Sequence, residues 1–180
     1  MTNDINILHT NPWFSVHHRS DANTVGSAGW FRVARPDSVM VIAVLNGADL
    51  LFIRGQRDTV AGKARLEFPA GFIGPSENPE DAARREIREE TGYDISNLRS
   101  IGSFVESPGI SAAECHCFTA TISTIGPASQ EPGESWEAEF HTLKSVPRLI
   151  TQGEIRDGST LGCWALLSAQ SSTADNRKTV

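Results

Sequence analysis

Two runs of branched apolar residues, 38–45 (SVMVIAVL) and 49–54 (DLLFIR), are the most strongly patterned part of the chain and read as paired strands. Asn46-Gly47 between them predicts a tight hairpin, because both residues tolerate positive φ. Shorter stretches predict further strands at 14–19, 30–35, 66–69, 99–105, 114–122 and 136–142, with loops at 106–113 and 126–135. A helix should follow the 66–69 strand. Asn78 suits the N-cap, Pro79 the first turn, and Glu80 and Asp81 the positive end of the dipole. Ala82, Ala83 and Ile87 give it a modest apolar face, and Gly92 stops it. Residues 143–151 and 159–168 also read as helices, and from Gln170 onward the chain is polar and expected to fray. Many strands with a few helices predict an α+β fold, a mixed sheet layered with helices.

Composition narrows the partners. At 180 residues the chain has room for one well-buried core and a short accessory segment. A formal net charge of −6 argues against general adhesion to nucleic acid or to an anionic membrane. An anionic small molecule remains admissible if a metal ion or local arginines neutralise it. No segment has the apolar length of a membrane span, and residues 1–10 lack the basic and apolar regions of a secretory signal. Cys115-His116-Cys117 lacks the wider spacing and the second pair that zinc sites use, so it reads as a strand with alternating faces. Three sparse cysteines suit a reduced, cytoplasmic setting.

The candidate chemistry lies in 71–93, GFIGPSENPEDAARREIREETGY. Glu86, Glu89 and Glu90 are spaced i, i+3 and i+4, so a helix carries all three carboxylates on one face. Such a cluster is stable with a hard cation, which points to Mg²⁺ or Mn²⁺. Taken alone it reads first as a solvated acidic face with Arg84, Arg85 and Arg88 as ion-pair partners. The wider pattern decides between the two. Gly71, Glu77, Arg85, Glu86, Ile87, Glu89, Glu90 and Gly92 fill the fixed positions of G-x5-E-x7-R-E-U-x-E-E-x-G-U, where U is bulky and apolar. Tyr93 at the last U departs slightly. This segment resembles the Nudix box.

The resemblance implies an α/β/α sandwich whose loop–helix–loop holds a divalent metal, Mg²⁺ or Mn²⁺, against a pyrophosphate. It gives metal-binding roles to Glu86, Glu89 and Glu90, makes Arg85 the tie for the acid cluster, and places Glu77 near the site. Leu66-Glu67-Phe68-Pro69-Ala70-Gly71 resembles the E-(L/F)-P-A-G segment of ADP-ribose pyrophosphatases, in which the carbonyl at the Ala70 position is a further metal ligand. Phe52-Ile53-Arg54-Gly55-Gln56-Arg57 resembles their V-R-Q-Y-R strand end, although Gly55-Gln56 departs from the usual pair. Arg57 then matches an arginine near the substrate phosphates, or is a surface arginine at a strand end. Ser107-Pro108-Gly109, Glu114 to Ala120 and Gly153 to Asp157 resemble further segments of that branch, so the likeness spans roughly residues 30 to 168. Pro108 stands where the ADP-sugar-cleaving members carry a proline, and it also suits a tight turn. The substrate-binding set expected from the likeness is Trp30, Arg57, Phe72 and Pro108.

Related enzymes place a general base in the loop before the last strand, which here holds Glu131, Glu134 and Glu137. Glu134 is the first choice and Glu137 the second, with Glu89 of the box as the fallback. Trp13, Phe14 and Trp30 lie in a segment that related enzymes use to build a homodimer and to stack on adenine; core or interface packing is the other reading. Three divisions follow: an N-terminal strand segment 1–36 for dimerisation and base binding, a Nudix-like domain 37–169, and a flexible tail 170–180. The expected activity is metal-dependent cleavage of ADP-ribose or a related nucleoside diphosphate sugar into AMP and a sugar phosphate. Another nucleotide, such as GDP-mannose or an oxidised nucleoside triphosphate, is the first rival. The second is a fold that senses ADP-ribose without cleaving it.

Overall fold

The computed structural model describes residues 5–19, 29–57, 62–130 and 135–175. The chain first forms an antiparallel meander, β1 (Ile5–Thr10), β2 (Ser15–Arg19) and β3 (Trp30–Ala34), in the order β1-β2-β3. Strand β1 is exposed along all six of its residues, and its apolar residues Ile5, Ile7 and Leu8 break the two-residue period, so the sequence pattern does not reveal it. A larger sheet follows, built from β4 (Ser38–Leu45), β5 (Asp49–Gly55), β6 (Arg65–Glu67), β7 (Ala70–Phe72), β8 (Tyr93–Val105), β9 (Glu114–Ile125) and β10 (Glu137–Thr142). Its path is β10-β5-β4-β9-β8, with β6 on β5 and β7 on β4. Strands β4 and β9 run parallel and the other pairs are antiparallel, so the sheet is mixed. The predicted hairpin forms where expected, with Asn46 at φ 52° and Gly47 at φ 77°.

The continuous apolar run of β4 is buried on both faces. Met40 and Ile42 join Phe52, Phe68, Val146, Leu149 and Cys163 in one cluster. Val39, Val41 and Ala43 join Ala82, Ala83 and Ile87 in the other. One face is therefore covered by α1 (Pro79–Thr91). The other lies under α2 (Val146–Thr151), which follows a 3₁₀ turn at Leu143–Ser145, and α3 (Gly158–Asp175). This is an α+β fold with an α/β/α layering. Helix α3 continues to Asp175, past the end at Ser168 that the sequence suggests. Gln170 Nε2 donates to the Ile101 carbonyl at 3.1 Å, which anchors that last part to β8. Among the described residues no helix is long and apolar enough to cross a membrane.

Candidate active site

Helix α1 is capped as its sequence dictates. Asn78 Oδ1 accepts the Asp81 N–H at 2.9 Å, and Gly92 ends the helix at φ 76° with its N–H on the Arg88 carbonyl. With Ala82, Ala83 and Ile87 in the core, the 3.6-residue period turns Arg85, Glu86, Glu89 and Glu90 toward β7 and the loop after it. Glu90 is almost fully buried and accepts the Ala70 N–H at 3.0 Å. Gly71 is where Glu86 comes closest. A Cβ at that position would fall 2.0 Å from the carboxylate, so only glycine leaves room for it.

Arg85 holds this cluster together. Its Nη1 donates to Glu86 at 2.7 Å and to Glu89 at 2.9 Å, while Nε and Nη2 grip Glu77 at 2.9 Å each. Nη2 also reaches the Phe72 carbonyl at 2.9 Å, and Glu77 accepts the Gly74 N–H at 2.7 Å. The hydrogen bonds from Arg85, ahead of the opposing effect of burial, hold the Glu77 carboxyl below its usual range. The same bonds push the Arg85 guanidinium upward. One guanidinium thus serves three carboxylates, with Glu90 beside them, and the cluster keeps an excess of negative charge.

Whether these residues fit a metal ion is a question of donor chemistry. The set offers hard carboxylate and carbonyl oxygens, with no thiolate or imidazole, as Mg²⁺ or Mn²⁺ requires. Glu86 and Glu89 are drawn to one point by the shared Nη1 of Arg85. Among the described residues no three His, Cys, Asp or Glu side chains are placed close enough together to hold a metal ion. The donor types fit such an ion.

Beside the cluster lies a cavity of about 250 Å³, with Arg35, Arg57, Glu67, Ala70, Phe72 and Glu106 in its wall. Arg57 donates to Glu67 at 2.7 Å, and its guanidinium lies 4.7 Å over the Trp136 ring. Arg35 pairs with Glu106 and stacks 5.3 Å from the Phe72 ring. The site-lining pair Arg35–Glu106 was not legible, because the two residues are 71 positions apart and neither sits in a motif. Gln130 escaped notice for the same reason. Its amide bonds the Glu90 carbonyl at 3.0 Å and clamps Trp136 from both sides, at 2.8 and 2.9 Å.

The expected substrate residues divide between two places. Arg57 and Phe72 line the cavity at the acid cluster, whereas Trp30 and Pro108 meet in a second cavity of about 470 Å³ under β3. Glu131 and Glu134 lie outside the described residues. Glu137 is exposed and pairs with Arg54 in the register of β10 and β5, and Glu139 binds the Arg54 side chain. Cys115 and Cys117 are buried in β9, and the hydrogen bond with Cys117 followed by burial pushes the Cys115 thiol upward, away from nucleophilic use.

A glycine turn, a capped acidic helix and one arginine across its carboxylates, set against a mixed sheet between helices, are the features by which the chain is compared with known families. The model of the NUDIX domain matches residues 34–161, and the chain belongs to the Nudix family. It is 31% identical over 130 residues to the ADP-ribose pyrophosphatase of Bacillus subtilis (strain 168), covering 71% of this chain and 70% of that protein. It is 34% identical over 116 residues to the ADP-sugar pyrophosphatase of Mus musculus, covering 62% of this chain and 53% of that protein. The GDP-mannose pyrophosphatase of Salmonella arizonae is 28% identical over 152 residues, covering 81% and 75%. The fold matches a crystal structure of an ADP compounds hydrolase at a TM-score of 0.79 and 18% identity, over 95% of this chain and 93% of that one. The chain is a Nudix pyrophosphohydrolase, and its homologues include ADP-ribose, ADP-sugar and GDP-mannose pyrophosphatases.

Proposed function

We propose that the protein cleaves the P–O–P bond of ADP-ribose or a related nucleoside diphosphate sugar, giving AMP and a sugar phosphate. The observation that carries this reading is the complete acid set, Glu86, Glu89 and Glu90, held by Arg85 beneath the glycine turn at Gly71. A binding module would have no need of it.

Glu86, Glu89, Glu90 and the Ala70 carbonyl would hold Mg²⁺ or Mn²⁺. Bound there, the ion shields phosphate charge, acidifies water and stabilises the leaving oxygen. The chain supplies the rest. Arg85 and Glu77 fix the carboxylates before substrate arrives, which removes reorganisation from the reaction step. Arg57 and Arg35 place two guanidinium groups at the adjoining cavity, where phosphate oxygens need donors. A carboxylate takes the proton of water as its oxygen bonds to phosphorus. The P–O bond to the bridging oxygen then breaks, and the product phosphate leaves without an enzyme-bound intermediate. Glu134 is our choice for that carboxylate, ahead of Glu137. Glu89 is the fallback, and at 35% exposure its side chain is the most open to water of the Arg85-bound acids.

The second reading, GDP-mannose, is favoured by one observation: the likeness to the Salmonella enzyme covers more of this chain than the other two relatives do. A screen of nucleoside diphosphate sugars and oxidised nucleoside triphosphates with Mg²⁺, resolved by chromatography, decides between them. AMP and a sugar phosphate from ADP-ribose is the expected result. Tight binding of ADP-ribose with no product would instead favour a sensor.

A further inference from the structure

The 470 Å³ cavity under the N-terminal sheet has an unusual wall. Ile5, Trp30, Val105 and Ile110 make it apolar, yet His17, Arg19 and Arg32 also face it, and among the described residues no carboxylate does. In the β2–β3 register His17 stands opposite Arg32 and Arg19 opposite Trp30, so the three basic side chains share one face of the sheet. Ser15 Oγ lies 2.7 Å from His17 Nε2, which turns Nδ1 of that ring toward Arg32 Nη2 at 3.5 Å. The imidazole thereby orients the guanidinium.

Arg35, Arg57 and Arg85 around the acid cluster each hold a carboxylate. Among the described residues neither Arg19 nor Arg32 holds one, in a chain whose net charge is −6. Two cations beside an apolar wall, with no acid between them among the described residues, are matched by an anion, and a guanidinium matches phosphate oxygens in pairs. The sugar of a nucleotide sharpens the point. In Rossmann-type dinucleotide sites a carboxylate accepts the free ribose 2′-hydroxyl, whereas an arginine accommodates a phosphate there.

We propose that this cavity takes the nucleoside half of a substrate whose ribose carries a phosphate monoester, with Trp30 against the base and Arg19 and Arg32 on the added phosphate. The inference rests on the reading of the substrate as a nucleoside diphosphate compound. The cavity is suitably placed. Arg32 in its wall and Arg35 in the wall of the acid-side cavity are three extended residues apart, roughly 10 Å. Glu106 and Pro108 likewise face one cavity each from the same loop.

The test is calorimetric titration of the full chain with AMP, adenosine 2′,5′-bisphosphate and adenosine 3′,5′-bisphosphate, none of which carries a P–O–P bond that the proposed activity could cleave. One bisphosphate should bind roughly tenfold or more tightly than AMP, and which one it is assigns the ribose position. That advantage should disappear in Arg32→Gln and shrink in Arg19→Gln, while AMP binding stays within about twofold of the wild type. The side chains are at the surface, and thermal unfolding of each variant checks that the fold is kept. Three equal affinities in the wild-type protein would overturn the proposal, as would a bisphosphate preference that survives both substitutions. Hydrolysis of ADP-ribose is measured separately, so this inference can fail while the hydrolase reading stands.

Discussion

A Cβ at Gly71 would sit 2.0 Å from the Glu86 carboxylate, and Glu86 is fixed by Arg85 as well. Gly71→Ala should therefore displace an acid of the proposed metal site while leaving the core untouched, with activity lost and the unfolding temperature little changed. Glu86→Gln or Glu90→Gln should cost roughly 10²-fold or more in rate, and chelation of Mg²⁺ should stop turnover in the wild type. Undiminished turnover in both glutamine variants would remove the central claim. The nucleophile is checked with ¹⁸O-labelled water, whose label should enter one phosphate product. Glu134→Gln should then lower kcat more than it raises KM. A near-normal kcat would move the base to Glu137 or to Glu89.

At the scale of elements, what could be read in advance was what is encoded locally. The cap at Asn78, the stop at Gly92 and the turn at Asn46-Gly47 each depend on a few neighbouring residues, and each forms as its chemistry dictates. The box acids were legible because a helix fixes their relative positions. Strand β1 was not, since Ile5, Ile7 and Leu8 do not keep a two-residue period, and β7 was not, since Ala70-Gly71-Phe72 holds no branched residue and only one large apolar one. Contacts such as Arg35 with Glu106 depend on the packed fold. The join of β5 to β10 is of this kind and is sensitive to acid. The Arg54 hydrogen bond, ahead of opposing burial and a smaller contribution from His141, holds the Glu139 carboxyl below its ordinary value of 4.5. Because the folded-state value is the lower one, the stabilisation is fully present above pH 4.5 and is lost as pH falls through the depressed value. Thermal unfolding followed downward through that range should show a shallower acid limb in Glu139→Gln; an identical limb would dismiss the pairing as a source of stability. Gln130 joins the end of α1 to Trp136, and Gln130→Ala should cost about 1 to 3 kcal/mol in denaturant unfolding by leaving backbone groups unpaired.

At the scale of the whole molecule, the N-terminal sheet is the part whose apolar surface is least accounted for. Ile7, Leu8, Trp13 and Trp30 are each more than half exposed, and all six residues of β1 face solvent. A three-stranded sheet holds its shape when an apolar face is packed, and exposed patches of this kind mark surfaces of association. We propose that a second copy of the chain covers it about a two-fold axis, with an obligate-type interface larger than about 2,000 Å². Trp30 lines the cavity below that sheet, so the arrangement would set each substrate site against the other chain. Trp30→Ala should weaken substrate binding, seen as a raised KM, while the fold and the response to Mg²⁺ stay intact. Trp13→Ser combined with Ile7→Ser should shift sedimentation toward the monomer and lower activity together with it. A monomer of the unmodified chain in sedimentation, still fully active at nanomolar protein, would defeat the shared-site arrangement and leave the hydrolase assignment standing.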